Sequence, residues 1–71
     1  MLSPASCRAA RDLLRLSRAD LARLAEVSVS TLRRFETGNG TPSAYASRQI
    51  LAALKNEGIS FIGPSGQPEL K

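Results

Sequence analysis

From Ser28 to Gly38 the chain reads Ser-Val-Ser-Thr-Leu-Arg-Arg-Phe-Glu-Thr-Gly. As a helix, this stretch places Ser30, Arg33, Arg34 and Thr37 on one side, because positions three, four and seven apart share a face. Leu32 and Phe35, three apart, fall on the opposite, inward side. Ser28 can cap the helix, and Gly38 is the residue type that commonly ends one in the left-handed conformation. An arginine fork can make a paired hydrogen bond to guanine O6 and N7, and a hydroxyl can donate or accept. Small polar residues at the start, arginines in the middle and a buried stripe behind are what reading the major groove of DNA requires.

Other helices must hold that face in place. Ser17, with Asp20 three residues on, forms a capping box for a preceding helix. Leu21, Ala22, Leu24 and Ala25 give this helix its apolar face, and Glu26 and Val27 form the turn into the next. Upstream, Ser3-Pro4 is a helix start, serine as cap and proline at the first position. That helix continues to Arg15, with Ala9, Ala10, Leu13 and Leu14 as its inner face, Leu16 closing the connection and Cys7 at a small buried position. Arg8, Arg11 and Arg15 share a face, which for Arg8 and Arg15 reads as a solvated stripe.

Downstream, Asn39-Gly40-Thr41-Pro42 is a turn with a fresh helix start, Thr41 as cap and Pro42 as first position. A fourth helix runs to about Asn56 on a stripe of Ala44, Ser47, Ile50, Leu51 and Leu54, and Gly58 ends it. Ile59-Ser60-Phe61-Ile62 is short and β-favouring, bounded by Gly58 and Gly63, and predicts an extended segment. It either packs flat over the helices or pairs with the same strand of a second copy. From Pro64 the composition is that of a disordered end. The fold class is therefore all-α: a compact four-helix domain over 1–58, an extended segment at 59–63 that is a candidate dimerisation strand, and a flexible tail at 64–71.

Seventy-one residues with ten basic and six acidic side chains give a formal charge of +4, which favours an anionic partner such as nucleic acid. No histidine is present and Cys7 is the sole cysteine, so the commonest general base, a disulfide and a cysteine zinc site are excluded. There is no paired-carboxylate cleft pattern and no glycine-rich phosphate loop. No enzyme activity, metal or cofactor is expected. No apolar run approaches the ~18 residues that span a bilayer. Met-Leu-Ser-Pro-Ala lacks a basic segment followed by a long apolar one, so the chain reads as cytoplasmic without a secretory signal.

The stretch Leu16 to Gly38, with Pro42 following, resembles the XRE/Cro-type helix-turn-helix of phage repressors and small bacterial regulators, over roughly residues 5 to 55. The resemblance rests on the Ser-x-x-Asp-Leu-Ala start, the small Ala22 where two helices pack closely, and the Val29–Gly38 run with its terminal Glu-x-Gly. It implies a lambda repressor-like fold. Val29, Ser30, Arg33 and Arg34 would then meet base edges and the groove wall, with Val29 against a thymine methyl. Arg18, which stands where the family usually has glutamine, would contact a phosphate, as would Ser28. Thr37, Thr41, Ser43 and Tyr45 are further candidate phosphate contacts. Arg11 and Glu36 correspond to a structural charge pair. Two departures stand out. Glu26 occupies a turn position usually filled by glycine, and the loop at Asn39-Gly40-Thr41 lacks the basic residues many relatives carry there.

These readings converge on a sequence-specific double-stranded DNA-binding regulator, a repressor or autoregulator. It would act as a homodimer whose contacts include Ile59, Phe61 and Ile62 or the fourth helix. The alternative is a protein-binding adaptor, antagonist or antitoxin that uses the same fold as a scaffold and adds its apolar C-terminal segment to a partner protein.

Overall fold

The computed structural model describes residues 2–38, 43–64 and 66–70. Four helices are followed by a hairpin: α1 (Pro4–Leu13), α2 (Arg18–Ala25), α3 (Val29–Thr37), α4 (Ala44–Asn56), β1 (Ile59–Ile62) and β2 (Gln67–Leu70). A serine opens every helix. Ser3, Ser17, Ser28 and Ser43 each accept a hydrogen bond from the backbone N–H three residues on, which satisfies one of the donors that a helix start leaves unpaired. In α1 and α2 the bond is reciprocated, by Ser6 and by Asp20.

The core is built from small and branched side chains of all four helices and the first strand. Leu21, Leu32, Ile50, Leu54, Ile59 and Cys7 are fully buried, with Ala10, Ala22 and Ala25 where the helices approach closely. The helix-turn-helix is formed by α2 and α3. Its turn closes on a hydrogen bond from the Val27 N–H to the Ala22 carbonyl, 3.0 Å, around Glu26 in the left-handed conformation (φ 59°, ψ 41°). A second closure of the same kind ends α1, where the Leu16 N–H reaches the Arg11 carbonyl at 3.0 Å around Arg15 (φ 57°). Neither position carries glycine, so both hold an L side chain in a region that disfavours it. At the end of α3, Gly38 (φ 75°) meets the same requirement without a Cβ.

Several expectations need correction. The first helix ends at Leu13, two residues before the expected Arg15; the left-handed Arg15 turns the chain away, and Ala9 and Leu13 lie on the exposed side instead of the inner face. Leu24 is likewise exposed, because α2 packs on α3 and α4 through Leu21, Ala22 and Ala25. Among the described residues, α4 is capped by Ser43 and begins at Ala44; Thr41 and Pro42, expected as its cap and first residue, lie outside the described residues. Its buried stripe is Ala46, Ile50, Ala53 and Leu54, one position round from the expected Ala44 and Ser47.

The largest difference is at the C-terminus. Gln67–Leu70, expected as part of a disordered tail, is a strand paired antiparallel with β1, with Ile59 opposite Leu70 and Phe61 opposite Pro68. The partner that β1 needs is thus its own chain. Ile59 is 1% exposed and belongs to the core, and Phe61 packs against that core. Of the expected dimer contacts, Ile59 is therefore inaccessible, and only Ile62 is substantially exposed. The hairpin completes the domain, since β1 packs on α4 and β2 packs on α1.

Replacing Glu26 with glycine should relieve the left-handed strain of ~1–2 kcal/mol, against ~0.4–1 kcal/mol of added chain entropy in the unfolded state. Glu26→Gly is expected to be more stable by about 0.5–1 kcal/mol in urea denaturation at unchanged m-value. A loss of stability would show that the Glu26 side chain makes a compensating contact.

Candidate nucleic-acid interface

Helix α3 divides cleanly between two environments. Leu32, Phe35 and Glu36 are buried, whereas Val29, Ser30, Arg33, Arg34 and Thr37 are exposed. The exposed set recurs at the helical period, so it forms one continuous outward face. Val29 leaves 45% of its surface to solvent at the first turn. Arg33 and Arg34 follow one turn later.

The inward side of the same helix carries a charge. Glu36 is completely buried, and its carboxylate is surrounded by donors from two other helices. Arg11 of α1 binds it through both ends of its fork, Nε to Oε2 at 3.0 Å and Nη2 to Oε1 at 3.2 Å. Arg18, the first residue of α2, donates from Nε to Oε1 at 2.9 Å. The Cys7 thiol lies 3.5 Å from Oε2. Arg8 donates from Nη1 to the Glu36 carbonyl at 2.9 Å, and Arg11 Nη1 reaches the Leu16 carbonyl at 3.1 Å. Among the described residues no buried side-chain polar atom is left without a partner.

Burial is the largest single influence on Glu36 and opposes its ionisation, but the hydrogen bonds from Arg11 and Arg18, the Arg11 charge and the Cys7 thiol together outweigh it and hold the carboxyl below its ordinary range. The hydrogen bond to Glu36 raises Arg11 further above its ordinary value. Burial, then the neighbouring carboxylate, pushes the Cys7 thiol up to about 12, so it is protonated and packs as a small apolar group with little reactivity. Asp20 is held below the usual carboxylate range by its bond with the Ser17 backbone.

The structure therefore sorts the candidate residues. Arg11 and Glu36 form the charge pair between α1 and α3. Arg18, expected at a phosphate, is joined to Glu36 and is 35% exposed along its side chain. The Ser28 hydroxyl caps α3 at 3.0 Å and turns its own proton to the Thr31 hydroxyl at 2.8 Å. The Thr37 hydroxyl bonds back to the Arg33 carbonyl at 2.9 Å. Ser43 caps α4 and Tyr45 is well exposed beside it, on an element that packs on α2. Thr41 lies outside the described residues.

Two residues escaped the sequence reading. Arg8 is exposed, as a solvated stripe residue would be, but it also donates from Nη1 to the carbonyl of Glu36. Its place one turn before Arg11 on the same face was the available signal. Gln49 of α4 donates to the Ala25 carbonyl at 3.2 Å and so holds the C-terminal end of α2 beside the turn. Nothing local marks Gln49, because its partner lies 24 positions away.

Among the described residues no group of three or more histidine, cysteine, aspartate or glutamate side chains is arranged to hold a metal. No described helix is long and apolar enough to cross a membrane. A family model described as Helix-turn-helix matches residues 8–60 of the chain. A search of curated proteins finds no match.

Because the folded-state Glu36 carboxyl lies below its ordinary value of 4.5, its ionised form adds stability that is fully present above that value. The contribution is lost as the pH falls through the lowered folded-state value. Asp20 acts in the same direction. The unfolding free energy is thus expected to be level between about pH 5 and 7 and to fall steadily below about pH 4, measured by chemical denaturation. A protein that grows more stable on acidification would contradict the pairing.

Proposed function

The chain belongs to the XRE-type helix-turn-helix family of DNA-binding regulators, and on that footing we propose that it is a sequence-specific double-stranded DNA-binding repressor or autoregulator acting as a homodimer. The observation that carries this reading is the outward face of α3, where Val29, Ser30, Arg33 and Arg34 are exposed together while the opposite side is anchored in the core. A helix of this width fits the major groove.

In that setting Arg34 binds guanine O6 and N7 through its fork, a contact worth ~1–3 kcal/mol of discrimination against a wrong base. Val29 meets a thymine methyl, and Ser30 accepts either hydrogen-bonding polarity and specifies little. Arg33 lies against the groove wall. The first-turn N–H groups of α2 and α3 and the Arg18 guanidinium take phosphates. Ser28, Thr37, Ser43 and Tyr45 contribute at the margins, since three of the four hydroxyls already have partners inside the protein.

One recognition helix reaches only a few base pairs, and useful specificity calls for two half-sites about one helical turn apart. With Ile59 in the core, the exposed Ile62 of β1 and Leu70 of β2 are the apolar side chains of the hairpin left for a second copy. The adaptor or antitoxin reading has less support. It rested on Ile59–Ile62 as a free apolar strand, whereas Ile59 is in the core and β1 is paired with β2, so that a partner would have to add to an outer edge of the hairpin.

Selection of bound duplexes from a random pool, compared between the wild type and Arg34→Ala, tests the role of α3. The wild type should enrich a defined motif whose affinity falls steeply with salt. Arg34→Ala should bind about 5- to 100-fold more weakly and lose preference at one base position per half-site. An unchanged motif in Arg34→Ala would remove Arg34 from base reading.

A further inference from the structure

Glu36 receives more positive charge than one carboxylate can neutralise. Its Oε1 accepts from both Arg11 Nη2 and Arg18 Nε, and its Oε2 accepts from Arg11 Nε and lies against the Cys7 thiol. Arg11 is committed by its fork to the carboxylate and by Nη1 to the Leu16 carbonyl. Arg18 is engaged differently. Its bond to Glu36 uses Nε, at 2.9 Å, and a third of the side chain remains exposed. The bond tethers the guanidinium at its Nε, and among the described residues its Nη pair has no hydrogen-bond partner.

We propose that Glu36 is a positioning residue for DNA binding: from inside the core it holds Arg18 by Nε, so that the Nη pair is ready to bind a backbone phosphate bidentately. The inference rests on the DNA-binding reading above. An unheld arginine loses much of its rotamer freedom when it binds an anion, and one already fixed by a buried carboxylate loses less. The excess positive charge around Glu36 favours an anion at Arg18. A lysine would keep the charge but has no Nε to hold and no fork to present.

Glu36→Gln is a poor test, because it leaves two arginines without their carboxylate and threatens the fold. Arg18→Lys and Arg18→Gln, made in the full chain and checked by thermal denaturation, are better. A duplex that the wild type binds is titrated at several salt concentrations. Arg18→Lys should lose about ten-fold in affinity, close to the loss in Arg18→Gln, while keeping a salt slope near that of the wild type. Arg18→Gln should lower the slope by about 0.9. Wild-type affinity in Arg18→Lys would overturn the proposal and leave the DNA-binding reading standing.

A second arm needs no DNA. Nitrogen NMR of the arginine side chains is followed as inorganic phosphate is added to the wild type. The Arg18 guanidinium signals should shift at lower phosphate than those of Arg23, which among the described residues pairs with the part-exposed Asp20. This shift without any duplex binding would uphold the held guanidinium as an anion site and overturn the DNA-binding reading. Failure of both arms would overturn both.

Discussion

A buried carboxylate must be paired where it lies or it opposes folding, and in this chain that constraint falls on Glu36. Its side chain points inward from α3, so α1 and α2 must bring arginines to it. Arg11 comes from α1 and Arg18 from α2, at 3.0 and 2.9 Å. The pairing couples the rotation of α3 to the placement of the other two helices. If α3 turned about its axis, Glu36 would leave both partners while Leu32 and Phe35 left the core. The outward set of Val29, Ser30, Arg33, Arg34 and Thr37 is the complement of that anchored side. The face that α3 leaves to solvent, proposed above to meet DNA, is thus fixed by what the rest of the helix must bury.

The hairpin solves a different problem. A domain this small has little apolar area to bury, and its helices are short. Ile59 enters the core from β1, and β2 lies along α1, so the last strand meets the first helix. The strand at the C-terminus acts as a clasp joining α1 to α4. It also uses one edge of β1, which would otherwise present unpaired backbone groups to solvent.

Much of this was legible in the residues. The serine caps, the inward Leu32 and Phe35 and the small Ala22 locate three helices from local rules, and the solvent-facing set on α3 follows from period alone. The resemblance of the central stretch supplied the Arg11–Glu36 pair, which no local rule identifies. What could not be read depends on contacts between distant residues. Gln67–Leu70 carries proline and glycine neighbours and polar residues, a composition that predicts disorder, and it becomes a strand only because β1 lies beside it. Ile59 looks like an exposed apolar residue until the hairpin folds it onto α4. The attachment of Arg18 to Glu36 joins positions 18 apart, and a position that the resemblance assigned to phosphate contact gave no sign of an internal partner. The left-handed Arg15 was hidden because arginine does not announce such a turn.

The central claim is that the exposed face of α3 meets DNA, and amide chemical-shift mapping on addition of a duplex tests it most directly. The largest changes should fall on Arg18 and on Ser28 to Arg34, with small ones on β1, β2 and the exposed side of α1. Changes concentrated on the hairpin or around Ala9, Asp12 and Leu13, with α3 unmoved, would contradict it.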